Sequence, residues 1–274
     1  MNLAIISDEI SLDLEESIRL GKEMGFHKYE FRCLDDYDHR VPDLLPGRRE
    51  QLQNLVANDE IQVTALSPGV FKIKPGETER LHKEMEDILP RTCVMAVELD
   101  APRIIVFGFL REAGVPEDQV IDLLRQAAQV VDTFGLEMSI ENEPGAYCDT
   151  GANTARMIDA IGMDNVTVNW DPANAHVSGE VAFPAGYEAA LHHIGNVHIK
   201  DAVPIPPDKW ENRLIGDGGV DWPGQLRRLL QDRPVEHLTL ETHVFPLIES
   251  TREDLRRLIH MLAEAESSLK GAKA

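Results

Sequence analysis

"VTVNWDPANA", residues 166–175, holds the choice between a plain turn and the rim of a barrel. Val166, Val168 and Trp170 alternate with Thr167 and Asn169, which is the period of a strand. The run stops at Asp171, followed by Pro172 and, three residues after the acid, by Asn174. Asp-Pro and Asn are ordinary turn formers, so the stretch taken alone is a strand leading into a turn. A strand that delivers a carboxylate is also what the open end of a parallel barrel requires, because polar side chains gather there at the C-terminal strand ends.

The same unit recurs on both sides. Short β-like runs stand at 3–7, 28–32, 62–66, 103–108, 136–141, 166–171, 196–201 and 237–242, eight in all. Longer segments of helical spacing separate them. "LEESIRLGKEMGF" puts Leu14, Ile18, Leu20 and Met24 on one broad face. "QVIDLLRQAAQVVDTFG" does the same with Val120, Leu123, Leu124, Ala127, Val130 and Val131, and Gly135 follows as a stop. The last helix is expected to open at a cap formed by Ser250 and Thr251. Eight strands each followed by a helix predict an α/β fold, a (β/α)8 TIM barrel, as a single domain over residues 1–274. A doubly wound open sheet is the alternative, but the first strand lacks the Gly-rich phosphate turn that would support it. "IGDGGVDW" (215–222) follows no clear strand and reads as a loop.

Composition agrees with a large soluble core. Hydrophobic residues make up 43% of the 274, and no apolar stretch reaches the roughly 18 residues needed to span a bilayer. No membrane partner is expected. "MNLAIISDEI" has no basic n-region, so it reads as a first strand rather than a signal peptide. Cys33, Cys93 and Cys148 are scattered and odd in number, which suits free thiols in a reducing cytoplasmic setting. The net charge is −21, from 48 acids against 27 bases. A field of that sign repels phosphodiester backbones, so no nucleic-acid partner is expected. Oligomeric state is not encoded legibly, and a homo-oligomer is compatible with the chain.

In such a barrel the strand ends carry the chemistry. Strand five ends at Glu141, with Asn142 and Glu143 behind it. Strand six ends at Asp171, strand seven carries His198 followed by Lys200 and Asp201, and strand eight carries Glu241 with His243 two positions on. Each residue alone has a bland reading as a solvated rim group or turn former. Four in register on consecutive strands are another matter: three oxygen donors and one imidazole make a metal site. Hard oxygen ligands without cysteine favour one Mn²⁺ or Mg²⁺ ion, with Zn²⁺ or Co²⁺ also able to enter.

The set "SIENEP", "NWDPANA", "VHIKD", "IGDGGVDW" and "LTLETH" resembles the xylose-isomerase-like barrels, in particular their sugar-phosphate isomerase/epimerase group. "YEFR" and "VTALSP" fit its second and third strands, so the resemblance spans essentially the whole chain. It implies that Glu141, Asp171, His198 and Glu241 bind one divalent ion, and that Glu141 and Glu241 act as the acid/base pair. The implied activity lies in carbohydrate metabolism: isomerisation or epimerisation of a small sugar, ketose or polyol ketone. That agrees with the chemistry, because a cation held against carbonyl and hydroxyl oxygens stabilises an enediolate while one carboxylate removes a proton and another group returns it. The same enediolate can expel a β-hydroxyl, which would make the protein a lyase acting on an inosose- or dehydroshikimate-like substrate. A barrel that binds a metabolite without turning it over is disfavoured by the second ionised glutamate.

One departure narrows the resemblance. Many members carry Asp-x-x-His at the end of strand six, where this chain has Asp171-Pro-Ala-Asn174. With no histidine there, nor in "VTALSP" or "RIIVFGF", the multi-zinc cluster of the apurinic endonucleases lacks support. His176 and His82 are nearby substitutes in principle and read better as surface or helix residues. Asn174 is a candidate for a substrate hydroxyl, or simply a turn-stabilising side chain. Arg32 is a candidate for a substrate carboxylate or phosphate, or for an ion pair with Glu30 or a loop acid. Lys200 and His243 share faces with His198 and Glu241 and are the remaining substrate-binding candidates. Lys72 and Lys74 lie in "VFKIKPGE", either a loop over the site or a plain solvated one. "CLDDYDHRVPDLLPG" and "AVPIPPDKWENRL" read as loops without a substrate code.

Overall fold

The computed structural model describes residues 1–207 and 209–271. Asp208, inside "AVPIPPDKWENRL", and residues 272–274 of the expected domain lie outside the described residues. The first half runs β1 (Asn2–Ile6), α1 (Leu14–Met24), β2 (Lys28–Phe31), α2 (Arg48–Ala57), β3 (Gln62–Leu66), α3 (Thr78–Lys83), α4 (Leu89–Glu98) and β4 (Arg103–Phe107). It continues with α5 (Glu117–Asp132), β5 (Glu137–Glu141), α6 (Gly151–Ile161), β6 (Val166–Trp170), α7 (Pro172–Val177), α8 (Tyr187–Ala190) and β7 (Ile194–Ile199). The rest is β8 (Asp201–Ile205), β9 (Lys209–Arg213), α9 (Trp222–Asp232), β10 (His237–Leu240) and α10 (Leu247–Gly271).

Eight parallel strands close in the order β1-β10-β7-β6-β5-β4-β3-β2. This is the expected TIM barrel, and closure is direct: Asn2, Leu3, Ala4 and Ile5 pair with His237, Leu238, Thr239 and Leu240. The chain departs from the expectation in two places. "AVPIPPDKWENRL", read as a loop, contains the antiparallel pair β8–β9, with Asp201 opposite Arg213 and Val203 opposite Glu211. Three prolines at 204, 206 and 207 hid it, because proline is admitted only to edge strands and this pair is all edge. The second correction concerns α10. It begins at Leu247, directly after Pro246, so Ser250 and Thr251 are inside it rather than capping it. Ser250 N already donates to Pro246 O (3.1 Å), and buried Thr251 donates from Oγ1 to Glu9 O (2.7 Å), which ties the last helix to the turn after β1.

The two faces of each strand are used differently. Val168 and Trp170 are fully buried members of the apolar core, and Trp170 Nε1 donates to Gln225 Oε1 in α9 at 2.9 Å. On β5, β6 and β7 the alternate residues point into the barrel and are polar, whereas Ile6 on β1 and Phe107 on β4 keep that face apolar. The Ser139 and Thr167 hydroxyls lie 2.8 Å apart, each within hydrogen-bond distance of Glu137 Oε1. One level up, Asn196 Nδ2 donates to Asn169 Oδ1 (2.9 Å), and Glu30 meets His198. The alternation in "VTVNW" therefore separates helix-facing from axis-facing residues, not core from solvent. A polar column inside a barrel is admissible where its members pair, as these do through the contacts above, although Glu30 Oε1 and Asn196 Oδ1 are buried without a hydrogen-bond partner.

Cys33, Cys93 and Cys148 are unpaired and buried. Burial pushes the Cys93 and Cys148 thiols up to about 12. Among the described residues, no helix is long and apolar enough to cross a membrane.

Candidate metal centre and its surroundings

Ligand atoms of Glu141, Asp171, His198 and Glu241 all lie within 4.8 Å of one another, and all four residues are buried. Local rules bring each one there. Glu141 is the last residue of β5, in register with Phe107 and Asn169 on its neighbours. Asp171 follows β6 and caps α7: its Oδ1 accepts from Asn174 N at 2.9 Å. The turn reading and the ligand reading of this acid therefore concern different oxygens. Its Oδ2 faces the cluster, 2.6 Å from Lys200 Nζ, and is buried without an aligned hydrogen bond. Asn142 locks the two strand ends together, donating to Asp171 O (2.7 Å) and accepting from Asp171 N (2.8 Å).

His198 presents Nδ1 to the cluster, 3.2 Å from Glu241 Oε2 and 3.7 Å from Glu141 Oε1. Its Nε2 lies 3.0 Å from Glu30 Oε2 in the barrel interior. Burial alone would strip the imidazole of its proton, but Glu30, Glu241 and Glu141 outweigh that and hold the His198 pKa well above the usual range. Burial also pushes Glu241 upward, yet Lys200, His243 and His198 hold its carboxyl well below the ordinary value. Glu141 is lowered as well, burial being overcome by His198. Asp171 goes the other way, because its desolvation exceeds the help from Lys200.

The other predicted residues reach the same space. Arg32 donates to Asp8 Oδ2, Glu9 Oε1 and Glu241 Oε1 at 2.8–3.0 Å. Its partners are acids from the turn after β1 and from the rim, not Glu30. Lys200 bridges Asp171 and Glu241 (3.2 Å to the latter). His243 stands between Glu9 (2.7 Å) and Glu241 (3.0 Å). Burial disfavours its charge, but Glu241 and Glu9 push its pKa up to about 9. Asn174 Nδ2 donates to Asn142 O (2.9 Å) and lies 3.4 Å from Glu141 Oε1. Lys72 pairs with Glu143 at 2.7 Å and sits over the Phe107 ring. His82 is exposed on α3, and His176 on α7 packs against Gly219, so neither joins the cluster.

Sequence reasoning missed Glu30 as a member of this assembly. It is fully buried, and its only available signal was the two-residue spacing to Arg32, which places both on the barrel interior. Glu9, Glu241 and His243 form a second acid/imidazole set. There the Arg32 guanidinium already lies against both carboxylates.

Three carboxylates, one imidazole and a buried carboxylate oxygen lacking an aligned donor fit a divalent cation bound by hard oxygens and nitrogen. The same negative field that favours a proton on His198 favours such an ion, which would displace that proton. Above the cluster opens a cavity of about 690 Å³, lined by Glu141, Asn174, His198, Lys200, Glu241 and His243 among others. That is the size of a small-molecule site.

A family model described as xylose isomerase-like TIM barrel matches residues 18–264. No curated protein sequence matches the chain. Among solved structures, an L-ribulose 3-epimerase is 17% identical with a TM-score of 0.79, the match covering 100% of this chain and 99% of that one. An IOLI protein with a bound zinc atom is 16% identical at TM-score 0.78, covering 98% and 99%. A probable 3-DHS dehydratase of petrobactin synthesis from Bacillus anthracis is 12% identical at TM-score 0.74, covering 94% and 99%. At these identities the likeness is one of fold.

Proposed function

Because the chain belongs to the xylose isomerase-like TIM-barrel family, we propose that it is a divalent-metal-dependent isomerase or epimerase of a small ketose or polyol ketone. The observation that carries this reading is the convergence of Glu141 and Glu241 on one buried cluster with Asp171 and His198 beneath a cavity of about 690 Å³. Glu141, Asp171, His198 and Glu241 would hold the ion, with Mn²⁺ or Mg²⁺ preferred by the oxygen-rich donor set. When bound, the ion supplies electrostatic stabilisation of negative charge that develops on substrate oxygens.

The protein's own groups do the remaining work. The two glutamates differ in freedom. Glu241 is contacted by Arg32, Lys200, His198 and His243, whereas Glu141 meets His198 at 3.7 Å and the Asn174 amide at 3.4 Å. A carboxylate engaged by four cationic groups is a weak base, so Glu141 takes the proton from the carbon next to the carbonyl. The proton for the other face, or for the neighbouring carbon, comes from Lys200 or His243, the protonated groups that Glu241 holds in place. Lys200 and Asn174 line the cavity and orient hydroxyl and carbonyl oxygens.

A lyase is the second reading. Lys200 and His243, both held protonated beside Glu241, are proton donors for a departing β-hydroxyl. The test is solvent deuterium incorporation during incubation of the Mn²⁺- or Mg²⁺-loaded protein with a panel of ketoses, inososes and dehydroshikimate. Exchange with product of equal mass is expected; loss of water would establish the lyase, and no exchange across the panel would overturn both. Glu241→Gln should lower exchange by about 10²–10⁴-fold with the far-UV circular dichroism spectrum unchanged.

A further inference from the structure

The cavity has two chemically distinct parts. Its floor is the acid cluster, while one wall carries Arg40, Lys72, Arg80 and Lys83, contributed by the segments after β2 and β3 and by α3. In a chain with 48 acids and 27 bases, a basic side chain ordinarily finds a carboxylate. Most of those at the site do. Arg32 has Asp8, Glu9 and Glu241; Lys200 has Asp171 and Glu241; Lys72 has Glu143; Arg80 has Glu84 at 2.9 Å. Among the described residues, Arg40 and Lys83 have no carboxylate within ion-pair distance. Lys83 is exposed, but Arg40 is half-buried in the cavity wall.

Arg40 is also held in place. The chain folds back after β2 so that Arg40 bridges Cys33, with Val41 N donating to Arg32 O (3.0 Å) and Leu34 N to His39 O (3.0 Å). Its side chain occupies the space beside Gly69 in "SPG". A Cβ built on Gly69 would stand 2.6 Å from Arg40 Nη1, and Gly69 has φ +76°, where side chains are disfavoured. Glycine thus leaves the space that the guanidinium fills. A positioned, half-desolvated guanidinium without a carboxylate, facing a substrate cavity, is a fork for a planar or tetrahedral oxyanion.

We infer that the substrate carries an anionic group, carboxylate or phosphate, distant from the reacting carbon, and that Arg40 binds it with Lys83 adding charge at the mouth. The inference rests on the isomerase/epimerase reading and names its substrate class. It also moves the anion-binding role from Arg32, whose guanidinium is occupied by three acids, to Arg40.

The test uses three ketoses that differ at one carbon: D-fructose, D-fructuronate and D-fructose 6-phosphate. Binding is measured by calorimetry on the full-length metal-loaded protein, and solvent deuterium exchange is measured in parallel. At least one charged member should bind tighter than D-fructose by about tenfold or more, and which one does so distinguishes carboxylate from phosphate. Arg40→Met should cost that member roughly ten- to a hundredfold, narrowing its lead over D-fructose, and Arg40→Lys should recover part of the loss. A melting curve matching the parent protein shows that the variants fold. Equal or tighter binding of D-fructose, failure of all three to bind, or an equal loss for all three in Arg40→Met would overturn the inference. If neutral ketoses exchange without any charged preference, the isomerase reading stands and this one falls. If charged ketoses bind through Arg40 but no ketose exchanges, the reverse holds.

Discussion

Glu30 is a carboxylate with no exposure, deep in the barrel, whose contacts are to His198 Nε2 and, at 3.5 Å, to the Asn196 amide. A buried acid on the far nitrogen of an imidazole fixes the ring's orientation and raises the basicity of the nitrogen that faces the cluster. Glu30→Gln should therefore weaken divalent-ion binding by about 10–100-fold, measured by competition with a chromophoric chelator. Unchanged affinity would reduce Glu30 to a packing role. The four cluster residues were legible because each stands at a strand end, where barrel geometry says to look. Glu30 was not, because its partner is 168 residues away and its nearest sequence neighbour of opposite charge, Arg32, is engaged elsewhere. Spacing of two says that Glu30 and Arg32 share a face; it does not say that one lies a level deeper. Asn174 was weighed between turn and substrate contact, and its backbone and side chain do separate things: the N–H meets the Asp171 cap, and the amide meets Asn142 and Glu141.

Elements were readable where a period announced them, and α1 shows why. Asp13 caps it by accepting from Glu16 N (2.8 Å), and Gly25 ends it at φ +88°. The glycine-rich "IGDGGVDW" was read only as a loop, and its shape follows from a residue outside it. Both oxygens of buried Asp201 collect backbone donors: Ala202 N (3.0 Å), Gly216 N (2.9 Å), Gly218 N (3.2 Å) and Val220 N (3.1 Å). The loop wraps so closely that a Cβ on Gly219 would stand 2.0 Å from His176 Nε2. Gly219→Ala should lower stability by about 1–3 kcal/mol in denaturant titration, through displacement of α7 next to Asp171. Asp254 in α10 supports the loop from below, accepting from Ile215 N (2.8 Å). Burial pushes its pKa from 3.8 up to about 7. Between those values the folded chain takes up a proton that the unfolded chain does not, so this contribution to stability is present at low pH and lost as pH rises through about 7. Asp254→Asn should accordingly gain thermal stability relative to the parent at pH 8 more than at pH 5.

At the scale of the molecule, local and global charge oppose each other. The chain carries −21 overall, yet one wall of its cavity is basic. An anionic ketose is repelled at long range and attracted only near the mouth, within about a Debye length. Its association rate, followed by stopped flow, should rise several-fold between low and near-physiological ionic strength, while that of D-fructose stays level. A fall with salt would mean that the basic wall dominates at every distance. Closure of the barrel bears on how the chain is made. β1 pairs with β10 as well as β2, and Arg32 meets Glu241 across 209 residues. On the ribosome, the first strand keeps one edge unpaired until the last strand has emerged, because no earlier segment can take that place. The acid cluster would lack Glu241 and stay open to water until that moment. Contacts this distant in sequence form late and slowly. The interval between synthesis of β2 and docking of β10 is when the nascent chain most needs a chaperone, and the Arg32–Glu241 contact marks its end.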